Sequence, residues 1–156
     1  MRNYFLIFLV SMVPLAELRV GMVMAVGMNL PYIPALIVCV IGNMLPVPFV
    51  YFFARKVLGW GAGKPHIGRA CRFFLEKGER AGQKLTEKTG RYGLFFALLL
   101  FVGIPVPGTG AWTGTLAASF LNMGIKSTAA AVSLGVVLAG CIMAIASTGV
   151  FHIFGL

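Results

Sequence analysis

Apolar residues run along this chain in four long blocks, and two of those blocks are broken at their centres. Residues 4–30, YFLIFLVSMVPLAELRVGMVMAVGMNL, are interrupted by Pro14, Glu17 and Arg19. Residues 31–54, PYIPALIVCVIGNMLPVPFVYFFA, continue without a charge until Arg55-Lys56 ends them. Residues 92–123 are again apolar and again broken, by GIPVPGTGAWTG, and residues 127–154 form a last run rich in Ala, Val and Gly. A helix needs about 20 apolar residues to cross a bilayer, so the second and fourth blocks predict full spans. The pieces flanking the two breaks are shorter, which fits the arms of a hairpin better than a crossing.

The pattern repeats. Sliding the sequence by 93 residues pairs Pro14 with Pro107, Gly21 with Gly114, Ala25 with Ala118, Asn29 with Asn122 and Gly42 with Gly135. Leu6, Phe8, Val13 and Leu45 also meet identical residues. The Pro, Gly and Asn matches carry the signal, because they mark backbone breaks and buried polar groups. Two geometries follow. If the broken blocks cross, there are four spans and the halves are parallel; if each enters and returns on one side, the second half is inverted. The inverted arrangement is preferred, since irregular backbone at membrane depth survives only where protein or a water-filled cavity covers it. The expectation is an all-α integral membrane protein with two inverted repeats. Each repeat is a re-entrant helical hairpin plus a transmembrane helix. Residues 1–156 form a single membrane domain: repeat 1–56, loop 57–91, repeat 92–156. A signal peptide is the competing reading of the start, with Arg2 before YFLIFLV and a small residue at Ala16. The single cation, the apolar run past that point and the repeat argue against it.

Composition agrees. The chain is 59% hydrophobic and 11% charged, against about 25% charged residues in a soluble domain. A soluble enzyme, a nucleic-acid module and a disordered tail are excluded. Thirteen Lys and Arg stand against four acids, and ten of the cations lie between Arg55 and Arg91 with Glu76, Glu79 and Glu87. That loop is expected in the cytoplasm, near anionic lipid headgroups, by the positive-inside bias. Within it Ile67, Cys71, Phe74, Ala81 and Leu85 recur at helical spacing among cations, predicting an interfacial amphipathic helix. Cys39, Cys71, Cys141, His66 and His152 are scattered, so no metal and no cofactor is expected. GWGAGKP has the glycines and lysine of a phosphate-binding loop, but its spacing is short and Pro65 stands where Ser or Thr is needed.

The candidate chemistry lies at the two breaks. Glu17 and Arg19 are ionisable groups at membrane depth, where each costs about 2.5–3.5 kcal/mol on insertion scales. Two residues apart, they do not face each other on a regular helix. In an unwound segment after Pro14 they would reach one cavity, or else form an internal ion pair fixing the tip. The second break offers Pro105, Pro107, Gly108, Thr109, Gly110, Trp112 and Thr113, with helix-opening amides near Thr113 suited to an anion or carboxylate. Asn43 lies mid-span, lining a cavity or bonding a neighbouring helix; Asn29 and Asn122 are expected to cap hairpin arms. No Ser-His-Asp set or carboxylate pair exists, so no enzyme is expected.

VPLAELRVG, IGNMLPVPFVYFFARK, RYGLFFALLLFVGIPVPGTGAWTG and the closing span resemble the bacterial and archaeal family of small multidrug export proteins. More distantly the chain is similar to the DedA (SNARE-associated, VTT-domain) membrane proteins. The resemblance implies two inverted repeats with re-entrant hairpins in the cytoplasmic membrane. It also places Glu17 at the acidic position of the DedA first hairpin, with Pro105, Pro107 and Gly108 in the second. DedA proteins carry an arginine in that second hairpin, where this chain has Trp112 and Thr113, which leaves Arg19 as the intramembrane cation. Three functions are in contention. The first is a transporter that exports a small solute or drug with Glu17 cycling a proton. The second is a translocase for a polyprenyl-phosphate lipid carrier held by Arg19 and the amides near Thr113. The third is a non-transporting scaffold. A homodimer is expected, to enclose the polar tips of so small a chain.

Overall fold

A computed structural model describes residues 2–14, 16–65, 67–106 and 109–154, with backbone alone for Phe74, Leu85 and residues 147–154. Among the described residues seven helices follow one another: α1 (Arg2–Met12), α2 (Glu17–Gly27), α3 (Tyr32–Met44), α4 (Val47–Ala62), α5 (Gly68–Gly103), α6 (Ala111–Phe120) and α7 (Ile125–Phe154). No strand occurs among the described residues.

Both broken blocks fold back on themselves. Gly21 of α2 sits so close to α1 that a Cβ there would meet Ser11 Oγ and the Ile7 carbonyl. Arg91 and Asn122, at the two ends of the second block, line one cavity. Each return helix ends in the same way. Asn29 and Asn122 adopt left-handed backbone at φ 52° and 56°. The Leu30 and Met123 amides donate to the Ala25 and Ala118 carbonyls at 2.9 and 3.0 Å. The Asn29 and Asn122 amides donate to Val26 and Ser119. This is a Schellman cap, and Asn tolerates the left-handed position because its short polar side chain bonds locally. Every residue of one cap lies 93 positions from its counterpart, so the spacing found in the sequence is also a spacing of structure.

The apolar block at 31–54 forms two helices in line. Leu45 and Pro46 keep right-handed helical angles between α3 and α4, and Pro46 removes one backbone donor, which bends a helix without ending it. The helix outlasts the apolar run that Arg55-Lys56 ends, since α4 continues to Ala62. Lys and Arg are good helix formers, so they end the apolar stretch but not the helix. Among the described residues, Tyr32–Ala62 and Ile125–Ala146 are the two helical stretches long and apolar enough to cross a membrane. Helices α3 and α7 run antiparallel: the Tyr32 hydroxyl donates to the Gly140 carbonyl at 2.5 Å, and Ser133 Oγ donates to Met44 Sδ at 3.5 Å.

The loop 57–91 is helical from Gly68 onward, and α5 breaks at Gly90, whose φ of 70° and ψ of 177° leave the helix. Part of the expected face packs within the chain: Cys71 lies against Gly61. Gly78 and Gly82, on the same side of the helix, lie against α6, where a Cβ would meet the Phe120 and Leu121 carbonyls, while Ile67 and Ala81 are exposed. Glycine, not an apolar side chain, allows the approach. The Phe74 and Leu85 side chains lie outside the described residues.

The interior is built from small residues. Ala35, Ala111, Ala118 and Ala131 are fully buried beside Ile7, Leu18, Met22, Val102 and Val132. Large apolar residues point outward instead: Ile33, Ile37 and Ile41 form a stripe on α3, each more than half exposed, continued on α4 by Phe49, Phe52 and Phe53. In water such a belt would be an unprotected apolar patch; in a bilayer it is the lipid-facing surface.

Close packing at the small residues is testable. A Cβ at Gly42 would stand 2.6 Å from the Phe8 carbonyl oxygen, whereas one at Gly27 meets nothing within 4 Å. Gly42→Ala should lower unfolding stability in detergent by about 1–3 kcal/mol, read from denaturant midpoints. Gly27→Ala should hold or gain slightly.

Candidate functional site

The two hairpin tips meet, and the contact is made by the chemistry the sequence singled out. Helix α1 ends at Met12, just before Pro14. The Ala16 and Glu17 amides then turn back to the Val13 carbonyl at 3.2 and 2.9 Å. Glu17 takes a left-handed φ of 51° and opens α2. For a side chain other than Gly, Asn or Asp that conformation costs about 1–2 kcal/mol, and it is held only because the surroundings determine it.

What determines it is the other tip. The Glu17 carboxylate is 6% exposed. Its Oε2 accepts from the Ala111 amide at 3.3 Å and its Oε1 from the Trp112 amide at 3.1 Å. These are opening amides of α6, donors with no partner inside their own helix, at the end where the helix dipole favours a negative charge. Gly110 makes room: a Cβ on it would lie 1.7 Å from Glu17 Oε2. Its φ of 165° is ordinary extended backbone, so the need for glycine here is steric.

Arg19 turns to the opposite end of the same break. Its guanidinium donates to the Val106 carbonyl, to the Ile104 carbonyl at 3.2 Å and to Thr109 Oγ1 at 2.9 Å. Those carbonyls follow the C-terminus of α5, where the dipole favours a cation. Thr109 joins the network as a donor to the Ile104 and Val106 carbonyls at 2.9 and 2.8 Å. The Glu17 and Arg19 side chains therefore bridge to two helix ends of the second hairpin instead of pairing with each other.

The contact is reciprocal. The Trp112 indole N–H donates to the Met12 carbonyl at the end of α1, at 3.2 Å. Trp112 stands 93 positions after Arg19, so equivalent positions of the two halves each donate into the last carbonyls of the other half's first arm. The sequence marked Trp112 as a tip residue; the role of its side chain was not read, because indole is rarely counted among donors in an apolar run.

The remaining candidates divide. The Thr113 hydroxyl donates to the Gly110 carbonyl at 3.4 Å, inside its own turn. Pro14 is exposed and Pro105 half-buried at the tips, while Pro107 and Gly108 lie outside the described residues. Asn43 is 2% exposed, and its Oδ1 has no hydrogen-bond partner among the described residues. Helices α2 and α3 pack antiparallel with Gly21 beside Cys39 Sγ, so Asn43, one turn further along α3, falls at the level of Glu17.

The clasp between the tips gives a direct test. Charge-assisted hydrogen bonds contribute about 1.5–3 kcal/mol, so Glu17→Ala and Gly110→Ala should each destabilise by that order. Both disrupt one contact, so the double variant should fall short of the sum by about 1 kcal/mol or more. Strict additivity in detergent unfolding would mean that the two residues act separately.

A protein-family model described as "Putative small multi-drug export protein" matches residues 17–142, from Glu17 at the first tip through the second tip and most of α7. No curated protein and no solved structure matches the chain. The apolar helices and this match together make it a membrane protein, and the chain belongs to the small multi-drug export family.

Proposed function

We propose that this chain is a proton-coupled exporter of small organic solutes, working as a homodimer in the cytoplasmic membrane. In this reading the two halves are inverted repeats, each with a re-entrant hairpin, and the transport site is where their tips meet. The carrying observation is the Glu17 carboxylate seated on the opening amides of α6. The antiparallel course of α3 and α7 and the matched caps at Asn29 and Asn122 support the inverted relation. The ten cations of residues 55–91 support a cytoplasmic side for that stretch.

The chemistry follows from that seat. A proton on Glu17 removes the charge that makes its two hydrogen bonds strong and frees the tips to part. A cationic solute does the same by competing for the carboxylate, which matches the multi-drug wording of the family's description. The unpartnered Asn43 Oδ1 at the same level offers it a second acceptor. The Arg19 guanidinium is held toward the opposite end of the break by carbonyls and Thr109, so its charge opposes a cation at Glu17 without occupying the carboxylate. For the same reason lipid-phosphate translocation has less support, since the arginine and the amides that a phosphate would use already have partners.

Two measurements test the reading. In a background lacking Cys39, Cys71 and Cys141, cysteines at positions 2 and 28 should label from one face of intact cells; labelling from opposite faces overturns re-entrance. In proteoliposomes with an imposed pH gradient, the protein should move ethidium. Glu17→Gln, of equal folded yield by size exclusion, should cut the rate at least about tenfold, a loss of about 1.4 kcal/mol of coupling. Unimpaired gradient-driven transport by Glu17→Gln overturns proton coupling through this residue. A wild-type protein that moves no dye removes the support for organic cations as substrates.

A further inference from the structure

Three cavities lie end to end where α5 meets the far end of α6, away from the tips. The first, about 400 Å³, is lined by Glu79, Gln83 and Glu87. The second, about 440 Å³, is lined by Arg91, Lys126 and Ser127 and shares Thr86, Leu121 and Asn122 with the first. The third, about 190 Å³, is walled by Ala97, Phe101, Ala117 and other apolar residues and shares Leu94, Leu121 and Met123 with the second. The order along the surface is acidic, basic, apolar.

We propose that this row of cavities binds one phosphatidylethanolamine molecule from the bilayer, with ammonium, phosphate and acyl chain in the first, second and third cavity. The order of chemistry is that of the lipid itself. Arg91 and Lys126 supply donors for a phosphate, and Ser127 adds a hydroxyl. In the acidic cavity Glu79 is engaged by Arg55 at 4.0 Å, which leaves Glu87, without an ion pair among the described residues, for the ammonium. A lipid with a second negative charge or an uncharged distal group would meet Glu87 without compensation, so the acid selects against the anionic lipids that the basic loop would otherwise attract. The apolar groove between the first arm and α6 takes a chain and not a free headgroup, which distinguishes a lipid from soluble phosphate. This site shares no residue with the tips and does not rest on the transport reading.

The test is thermal unfolding of the full chain in detergent, titrated with dioleoyl-phosphatidylethanolamine, dioleoyl-phosphatidylglycerol or inorganic phosphate. The ethanolamine lipid should raise the unfolding temperature with an apparent affinity at least about fivefold above the glycerol lipid, and phosphate should be without effect. Arg91→Gln and Lys126→Gln, both at exposed positions, should weaken both lipids about tenfold, one power of ten in Kd. Either variant that folds suffices. Glu87→Gln should abolish the preference while keeping the phosphatidylglycerol response. Equal or tighter phosphatidylglycerol binding by the wild type overturns the proposal in favour of a basic patch. A shift reproduced by inorganic phosphate reduces it to an anion site, and lipid responses unchanged in all three variants place the lipid elsewhere.

Discussion

A chain that folds back on itself inside an apolar block leaves helix ends whose backbone groups need partners. Each unsatisfied backbone group in hydrocarbon costs several kcal/mol, so the broken blocks of this chain depend on supplying partners to each other. The Glu17 carboxylate on the Ala111 and Trp112 amides is the centre of that exchange. Arg19 serves the carbonyls after α5, and the Trp112 indole serves the carbonyl that ends α1. Negative charge meets a helix start and positive charge a helix end, so each ionisable group lies where the dipole lowers its cost. The left-handed backbone at Glu17 is stable for the same reason: the position that costs local energy is the one that aims the carboxylate at α6.

Much of this was legible in the sequence because breaks leave marks that apolar runs do not. Pro14, Gly21, Asn29 and their partners 93 residues on announced two similar units, and the caps at Asn29 and Asn122 agree atom for atom. Glu17, Arg19 and Thr109 stand out as polar groups in an apolar run and Trp112 as a residue of the second break, and the structure gathers all four. Their connections were not legible. Charges two residues apart invite an ion pair, and nothing local records that one helix start and one helix end lie within reach on the other hairpin. The seat of Gly110 was equally hidden, since among GTGAWTG only the arriving carboxylate distinguishes one glycine from the next.

The loop helix teaches the same lesson from its packing. Its spacing of apolar residues predicted a face, and on that side the closest approach is made by the glycines, Gly78 and Gly82 against the last carbonyls of α6. Periodicity finds side chains that fill space; it passes over glycines that vacate it. The same holds at Pro46, where a residue that ends helices in water only bends one here, because the neighbouring residues keep helical angles and the surrounding medium offers the freed groups no better partner.

Helix α6 joins the two ends of the molecule. It has ten residues, about 15 Å at 1.5 Å per residue, too short to bend. Its first amides are held by Glu17, and its last carbonyls lie in the groove formed by Gly78 and Gly82. A rigid element fixed at both ends cannot move at one without being released or dragged at the other. On the proposed opening of the tips, that rigidity would displace Leu121 and Asn122, which line both charged cavities at the far end. An occupant of those cavities would then bias the clasp as the clasp biases the occupant. The short return helix links the two ends, and its opening amides are the free donors that an uninterrupted helix in its place would not bring to the clasp.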